Sequence, residues 1–301
     1  MTSKAHFGDR LQAALQQTGT PLCMGIDPHL RLLPAFFGAE TPRIGCADTV
    51  AAMRKFAFAA VDVAAGSLPA IKPQAALFEQ HGPAGMQLLA DLARYAQSRG
   101  LLVIMDAKRG DIGSTSAAYA AAFLGDEAPF PSDALTVNAY MGMDTLRPFI
   151  DQAMATKSGL FVLVRTSNPG SSDLQEQQIN GVPLYQILAD KLAPLTEEMA
   201  TDSWSSLGIV AGATWPEEAR QLRQQLPLAP VLVPGFGAQG AGASDALSAL
   251  EKRDGYWQGG LVNASRGLTF SPAALAATDI EGWQIATANQ ITEMSAALNA
   301  V

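Results

Sequence analysis

Within residues 101–115 (LLVIMDAKRGDIGST), Asp106, Lys108, Arg109 and Asp111 place four charges in six residues. On an extended backbone, side chains two apart leave the same face, so Asp106 and Lys108 go together and Arg109 goes the other way. Asp111 follows Gly110, which lets the strand turn. Two acids and a lysine at the end of an apolar strand are costly to desolvate unless they pair or act on a ligand as acid, base or fixed charge. The alternative is an ordinary strand-end ion pair opening into a solvated loop. Leu101, Val103 and Met105 make one apolar face, and Leu102 and Ile104 continue the face that carries Asp106. A strand apolar on both faces belongs in a sheet covered on both sides.

The segments that must position this cluster alternate along the chain. An amphipathic helix over residues 7–18 precedes a short strand at 22–27. A helix capped by Asp48 and ending near residue 65 follows, then a strand at 69–79 with Lys72, then a helix at 83–98. The charged strand is third, backed by a helix at 114–124. Further strands are expected at 134–140, 159–167, 207–214, 229–237 and 259–267. Their helices are expected at 144–156, 182–199, 216–226, up to residue 250, and 282–298. Eight strands each followed by a helix, with no composition break over residues 1–301, fit a doubly wound sheet or a closed barrel. The count of eight favours one α/β domain, a (βα)8 TIM barrel. The connections at 28–47 and 166–181 are longer than usual and are expected to carry function.

Composition narrows the partners. The net charge of −8 gives no general footprint for nucleic acid, so an anion must be met by a local cationic pocket. Hydrophobic residues make up 48% and charged residues 16%, which suits a well-covered core. Two cysteines, Cys23 and Cys46, give no disulfide framework. The start lacks the apolar region of a signal peptide, and no apolar run approaches the roughly 18 residues of a membrane span. These features lead to the expectation of a soluble, cytoplasmic protein with no membrane partner.

In such a barrel the site lies at the carboxyl ends of the strands. Those ends carry Asp27, Lys72, Asp106 with Lys108, Asn138, Arg165 with Ser167, Gln239 and Arg266. Residues 234–242 (PGFGAQGAG) and 263–267 (NASRG) set glycine-rich backbone beside Arg266, where barrels commonly bind phosphate. Gly235, Gly237 and Gly240 also spell G-x-G-x-x-G. On a seventh βα unit, with no acid ending the next strand, this is a weak dinucleotide signature. His6, His29 and His81 show no metal spacing, no G-x-S-x-G elbow occurs, and Cys23 inside the first strand reads as a small buried residue. Ser167 and Asn138 taken alone are compatible with simply satisfying backbone groups.

With these residues in place, the chain resembles the orotidine 5′-phosphate decarboxylase family over essentially the whole barrel, and most of all its longer bacterial branch. The family pattern D-x-K-x-x-D-I stands here as Asp106, Lys108, Asp111 and Ile112. GIDP (25–28), IKPQAALFE (71–79), TVNAYMG (136–142), RTSNPG (165–170), VPGFGAQG (233–240) and NASRG (263–267) follow in the family's order. Arg109 and Gly110 depart from other branches without touching the outer residues of the pattern.

The resemblance implies a cofactor-independent enzyme that decarboxylates orotidine 5′-phosphate to uridine 5′-phosphate, with no metal. It implies that Lys108 protonates C6 and that Asp106 lies beside the departing carboxylate. Lys72 and Asp111 complete an alternating lysine–aspartate array. Asp111 and Thr115 are supplied across a homodimer interface to the neighbouring site. Asp27 and Lys72 hold ribose hydroxyls, Asn138 joins the substrate-binding set, and Ser167 contacts the base. Gln239, Arg266 and the Gly267 amide grip phosphate, with residues 234–242 as a lid. The chemistry suits these residue types. Carboxylates within about 4–6 Å keep a lysine charged, so it both steadies a carbanion and donates the proton. Three other readings stay open at this point: a magnesium-dependent sugar-phosphate decarboxylase or aldolase, a Schiff-base aldolase using Lys72 or Lys108, and a catalytically silent sensor of phosphate ligands.

Overall fold

The structure is a computed structural model that describes residues 4–237 and 240–301. Eight short strands supply the frame: β1 (Leu22–Ile26), β2 (Ala70–Pro73), β3 (Leu102–Arg109), β4 (Ala134–Val137), β5 (Gly159–Arg165), β6 (Leu207–Ala211), β7 (Val231–Pro234) and β8 (Gly260–Ala264). Each pairs in parallel with its neighbours in chain order, and β1 closes on β8 with Leu22 opposite Val262 and Cys23 opposite Asn263. β1, β4, β6 and β8 are buried at every residue, as strands between a barrel interior and a helical coat must be. The eight-stranded closed barrel expected from the alternation is what forms.

Helices α1 (Phe7–Thr18), α2 (Ala47–Ala64), α3 (Ala76–Glu79), α4 (Gly82–Ser98), α5 (Gly113–Phe123), α6 (Arg147–Thr156), α7 (Leu184–Glu198) and α8 (Pro216–Gln225) accompany the first six strands. α9 (Ala243–Ala246) follows β7, and α10 (Arg266–Thr269), α11 (Pro272–Leu275) and α12 (Ile280–Asn299) follow β8. α1 plugs the amino-terminal end. Its Phe7, Leu11 and Leu15 pack on Cys23, Ile104, Phe161 and Leu232 inside the barrel, Phe7 meeting Phe161 edge-on at 5.9 Å. Each such buried side chain contributes roughly 1.5–3 kcal/mol of apolar transfer. With that end sealed, the carboxyl ends of the strands form the open mouth.

Several boundaries differ from the sequence expectation. The second strand stops at Pro73 and, after a last bridge of Gln74 to Asp106, gives way to α3. α2 begins at Ala47 after Cys46, so Asp48 sits in its first turn and is not the cap. The expected helix ending near residue 250 shrinks to α9. Two small hairpins, Gln178–Ile179 with Val182–Pro183 and Glu251–Arg253 with Tyr256–Gln258, were not anticipated. Both are too short to show a period of two.

Candidate active site

The floor of the mouth is organised by Asp106. Its Oδ2 accepts from Lys72 Nζ at 2.7 Å and its Oδ1 from Lys108 Nζ at 2.5 Å. Thr136 Oγ1 donates to Oδ1 at 3.1 Å and Gln74 Nε2 to Oδ2 at 3.3 Å. Three adjacent strand ends, β2, β3 and β4, thus converge on one carboxylate. Asp106 and Lys72 are buried, whereas the Lys108 side chain is 46% exposed and faces the mouth.

Asp106 and Lys108 meet as strand alternation predicts, but the backbone gets there differently. Pairing of β3 with β4 jumps from Met105 opposite Leu135 to Arg109 opposite Val137, so the strand bulges across the site. Lys108 takes φ +50°, a left-handed conformation that costs a non-glycine residue on the order of 1–3 kcal/mol. Its N–H is held by Thr136 Oγ1 at 2.9 Å, which helps maintain that turn. Arg109 leaves on the outer side, pairing with Glu79 and lying over the rings of Tyr119 and Phe123.

Burial alone would drive the Lys72 ammonium toward neutrality, but Asp106 and Asp27 outweigh it and raise its pKa above the ordinary lysine value. Burial would likewise protonate Asp106, and Lys72 with Lys108 reverse that, holding its carboxyl well below the usual carboxylate range. Lys72 and Asp106 are therefore both charged at neutral pH. Cys23, one layer below, is pushed up to about 12, first by burial, and stays a thiol.

Above the floor opens a cavity of about 630 Å3. Asp27, Lys72, Asp106, Lys108, Ser167 and Arg266, all singled out in the sequence, line it. Inside, Asp27 Oδ1, Asn263 Oδ1 and Ser265 Oγ are buried without a partner among the described residues, which suits them to accept or share hydrogen bonds with a hydroxyl-bearing ligand. Asn263 and Ser265 were not among the expected site residues, nor were Gln74 and Thr136. Uncharged polar residues inside strands carry no signal of their own. Among the described residues, no three His, Cys, Asp or Glu side chains gather in a way that could hold a metal ion.

Four expected site residues do not line this cavity. Asp111 lies on the flank, its Oδ1 accepting from Ile112 N at 2.7 Å, and Thr115 beside it is exposed. Asn138 is exposed as well. Its Oδ1 accepts from Tyr140 N at 3.0 Å and shapes the turn after β4. Gly267 sits half-buried in the first turn of α10. Gln239 lies outside the described residues. Arg165 also departs from its place among the mouth residues. A bulge sets both Leu163 and Arg165 against the successive partners Val210 and Ala211, and the guanidinium is turned away from the cavity and fully buried.

A family model described as "Orotidine 5'-phosphate decarboxylase / HUMPS family" matches residues 20–279. An orotidine 5′-phosphate decarboxylase of Rhodopirellula baltica is 40% identical over 96% of this chain and 97% of its own length. One of Myxococcus xanthus is 38% identical over 81% of this chain and 82% of its own. The structure of Leishmania donovani OMP decarboxylase superposes with a TM-score of 0.74 at 31% identity, covering 98% of this chain and all of that one (100%).

Proposed function

The chain belongs to the orotidine 5′-phosphate decarboxylase / HUMPS family, and from that membership we propose that it decarboxylates orotidine 5′-phosphate to uridine 5′-phosphate and carbon dioxide, without metal or cofactor, in pyrimidine nucleotide synthesis. The observation that carries this reading is Asp106 engaged by two lysines on the floor of a cavity that Arg266 also lines.

In the proposed step the bond from C6 to the carboxylate breaks, carbon dioxide leaves, and the electron pair stays on C6 in an sp² orbital. The Lys108 ammonium faces that pair, steadies it and gives up a proton to it, then is reprotonated from solvent. A fixed ammonium costs no reorganisation as the anion develops, which is why a lysine locked by Asp106 suits the task better than a mobile one. Lys72 and Asp27 take ribose hydroxyls, and Asn263 and Ser265 offer further acceptors on the same side. Ser167 meets the base. Arg266, Gln239 and the Gly267 amide hold phosphate, whose binding energy is used at C6 through closure of residues 234–242.

Asp111 and Thr115 act in the site of a second copy, giving a homodimer. Support comes from their flank. Ile112 is 62% and Tyr140 78% exposed, and Met141 is exposed as well, an apolar rim beside a carboxylate that has no cation on it among the described residues. No helix of the described residues is long and apolar enough to cross a membrane.

The test is the absorbance loss on adding orotidine 5′-phosphate, with carbon dioxide collected, in the presence and absence of a chelator. Equal turnover in both supports the reading. Loss of turnover with chelator points to a metal-dependent relative, and nucleotide binding with no carbon dioxide points to a sensor.

A further inference from the structure

The connection between β5 and α7 has the length of a functional loop, and its anchoring is unusual. Arg165, the last residue of β5, is fully buried and does not itself line the cavity. Nη1 donates to Ser171 Oγ at 2.8 Å, Nη2 pairs with Glu176 and lies 3.7 Å from Glu218, and the guanidinium stacks 4.0 Å over the Trp215 ring. One cation thus ties the 3₁₀ turn Pro169–Asp173, the loop beyond it and the start of α8 together. The near end of the loop is held by the same parts. Trp215 Nε1 donates to Thr166 O at 3.1 Å, and the Gln175 side chain accepts from Thr166 N at 2.9 Å and donates to Thr166 Oγ1 at 2.8 Å. Ser167 then stands against Gly212, where an added Cβ would meet Ser167 Cβ at 2.8 Å. Thr166, Ser167, Asn168, Ser171 and Gln175 all line the cavity.

We propose that Arg165 is a positioning residue: it clamps residues 166–176 into a wall of hydroxyl and amide groups that selects for the heterocyclic base of the nucleotide, while the phosphate end is held independently of it. This rests on the decarboxylase reading for its choice of ligands. The clamp is two-sided because the guanidinium satisfies two carboxylates and an aromatic face together. A lysine offers neither the planar stack nor the fork. Removing the cation leaves Glu176 and Glu218 facing each other with nothing between them, so the wall loosens while the array on the floor keeps its own partners.

The experiment is calorimetric binding of uridine 5′-phosphate and of ribose 5-phosphate, which lacks the base, to wild type, Arg165→Lys and Arg165→Met. No turnover is needed, so its outcome is separate from whether orotidine 5′-phosphate is decarboxylated. Uridine 5′-phosphate affinity is expected to fall about 10- to 100-fold, the scale of effect that a shift of about 1 Å in positioning groups produces, with ribose 5-phosphate affinity unchanged. A parallel loss for both ligands, or none for either, overturns the proposal. If the Arg165 variants do not fold, Glu176→Gln opens the same clamp from its half-exposed side, and the same split, smaller in size, is required of it.

Discussion

The floor and the flank of this site are built in opposite ways. On the floor, Asp106 takes four hydrogen bonds from Lys72, Lys108, Thr136 and Gln74, and is buried. On the flank, the Asp111 carboxylate accepts from the backbone N–H of Ile112 beside it and has no cation among the described residues, and Thr115 is exposed, although both follow the same strand in sequence. A charge that is buried must be compensated inside the fold, so the floor is complete before any ligand arrives. Asp111, beside exposed Ile112 and Tyr140, has no cation on it among the described residues, and on the proposed reading a second copy completes its site. On the proposed reading, the contrast divides the site into a preformed half and a half completed by assembly.

The largest effect expected is from the floor. Lys108→Ala should lower kcat by on the order of 10^4-fold or more, since loss of a general acid and loss of a fixed charge multiply. Binding of uridine 5′-phosphate should remain measurable in the same variant. Near-normal turnover would remove Lys108 from the chemistry.

The flank is tested by mixing. Asp111→Ala alone should cost about 10²- to 10³-fold in kcat, the scale of a lost electrostatic group. When Lys108→Ala and Asp111→Ala protomers are unfolded together and reassembled, one intact site forms in each mixed dimer, and activity should return to about a quarter of wild type under twofold symmetry. No recovery would place Asp111 in its own chain's site and erase the distinction between floor and flank.

At the rim, Arg266→Ala should raise KM by about 10- to 100-fold with a smaller change in kcat, as expected for a guanidinium acting through phosphate. A phosphate-free substrate should be insensitive to the substitution. If it loses as much as the full substrate, Arg266 does something other than hold phosphate.

The smallest effect is on stability against pH. Asp106 is depressed in the fold, so its contribution is present above its ordinary value of 3.8 and is lost as pH falls through its lower folded value. Lys72 is raised, so its contribution is present below its ordinary value of 10.5 and is lost as pH climbs through the higher folded one. The difference in unfolding free energy between wild type and Asp106→Asn should therefore stay flat from about pH 5 to 9, shrinking in acid as Asp106 is protonated and in strong alkali as Lys72 is deprotonated. A steep change near pH 7 would mean the array titrates there, contrary to the geometry.

Most of the barrel was legible because hydrophobic runs, turns and helix starts recur eight times and agree with one another. The charged strand was legible for the same reason, its cluster of acids and bases being rare by type. What sequence could not show is local and geometric. Lys108 reaches Asp106 through a left-handed residue and a bulge, and simple alternation gives the right face by the wrong path. A second bulge turns Arg165 out of the mouth. Gln74, Thr136, Asn263 and Ser265 are ordinary polar residues until folding sets them around a charge or leaves their oxygens unpartnered. The hairpin Glu251–Arg253 with Tyr256–Gln258 is charged and partly exposed, so no apolar stripe announced it.

The central claim, that the Lys108 ammonium exchanges a proton with C6, is tested most directly in the reverse direction. Uridine 5′-phosphate is incubated in deuterium oxide with wild type or with Lys108→Ala, and loss of the C6 proton signal is followed by nuclear magnetic resonance. Wild type is expected to exchange that proton and Lys108→Ala to leave it in place while still binding the nucleotide. Equal exchange rates in the two proteins would contradict the account.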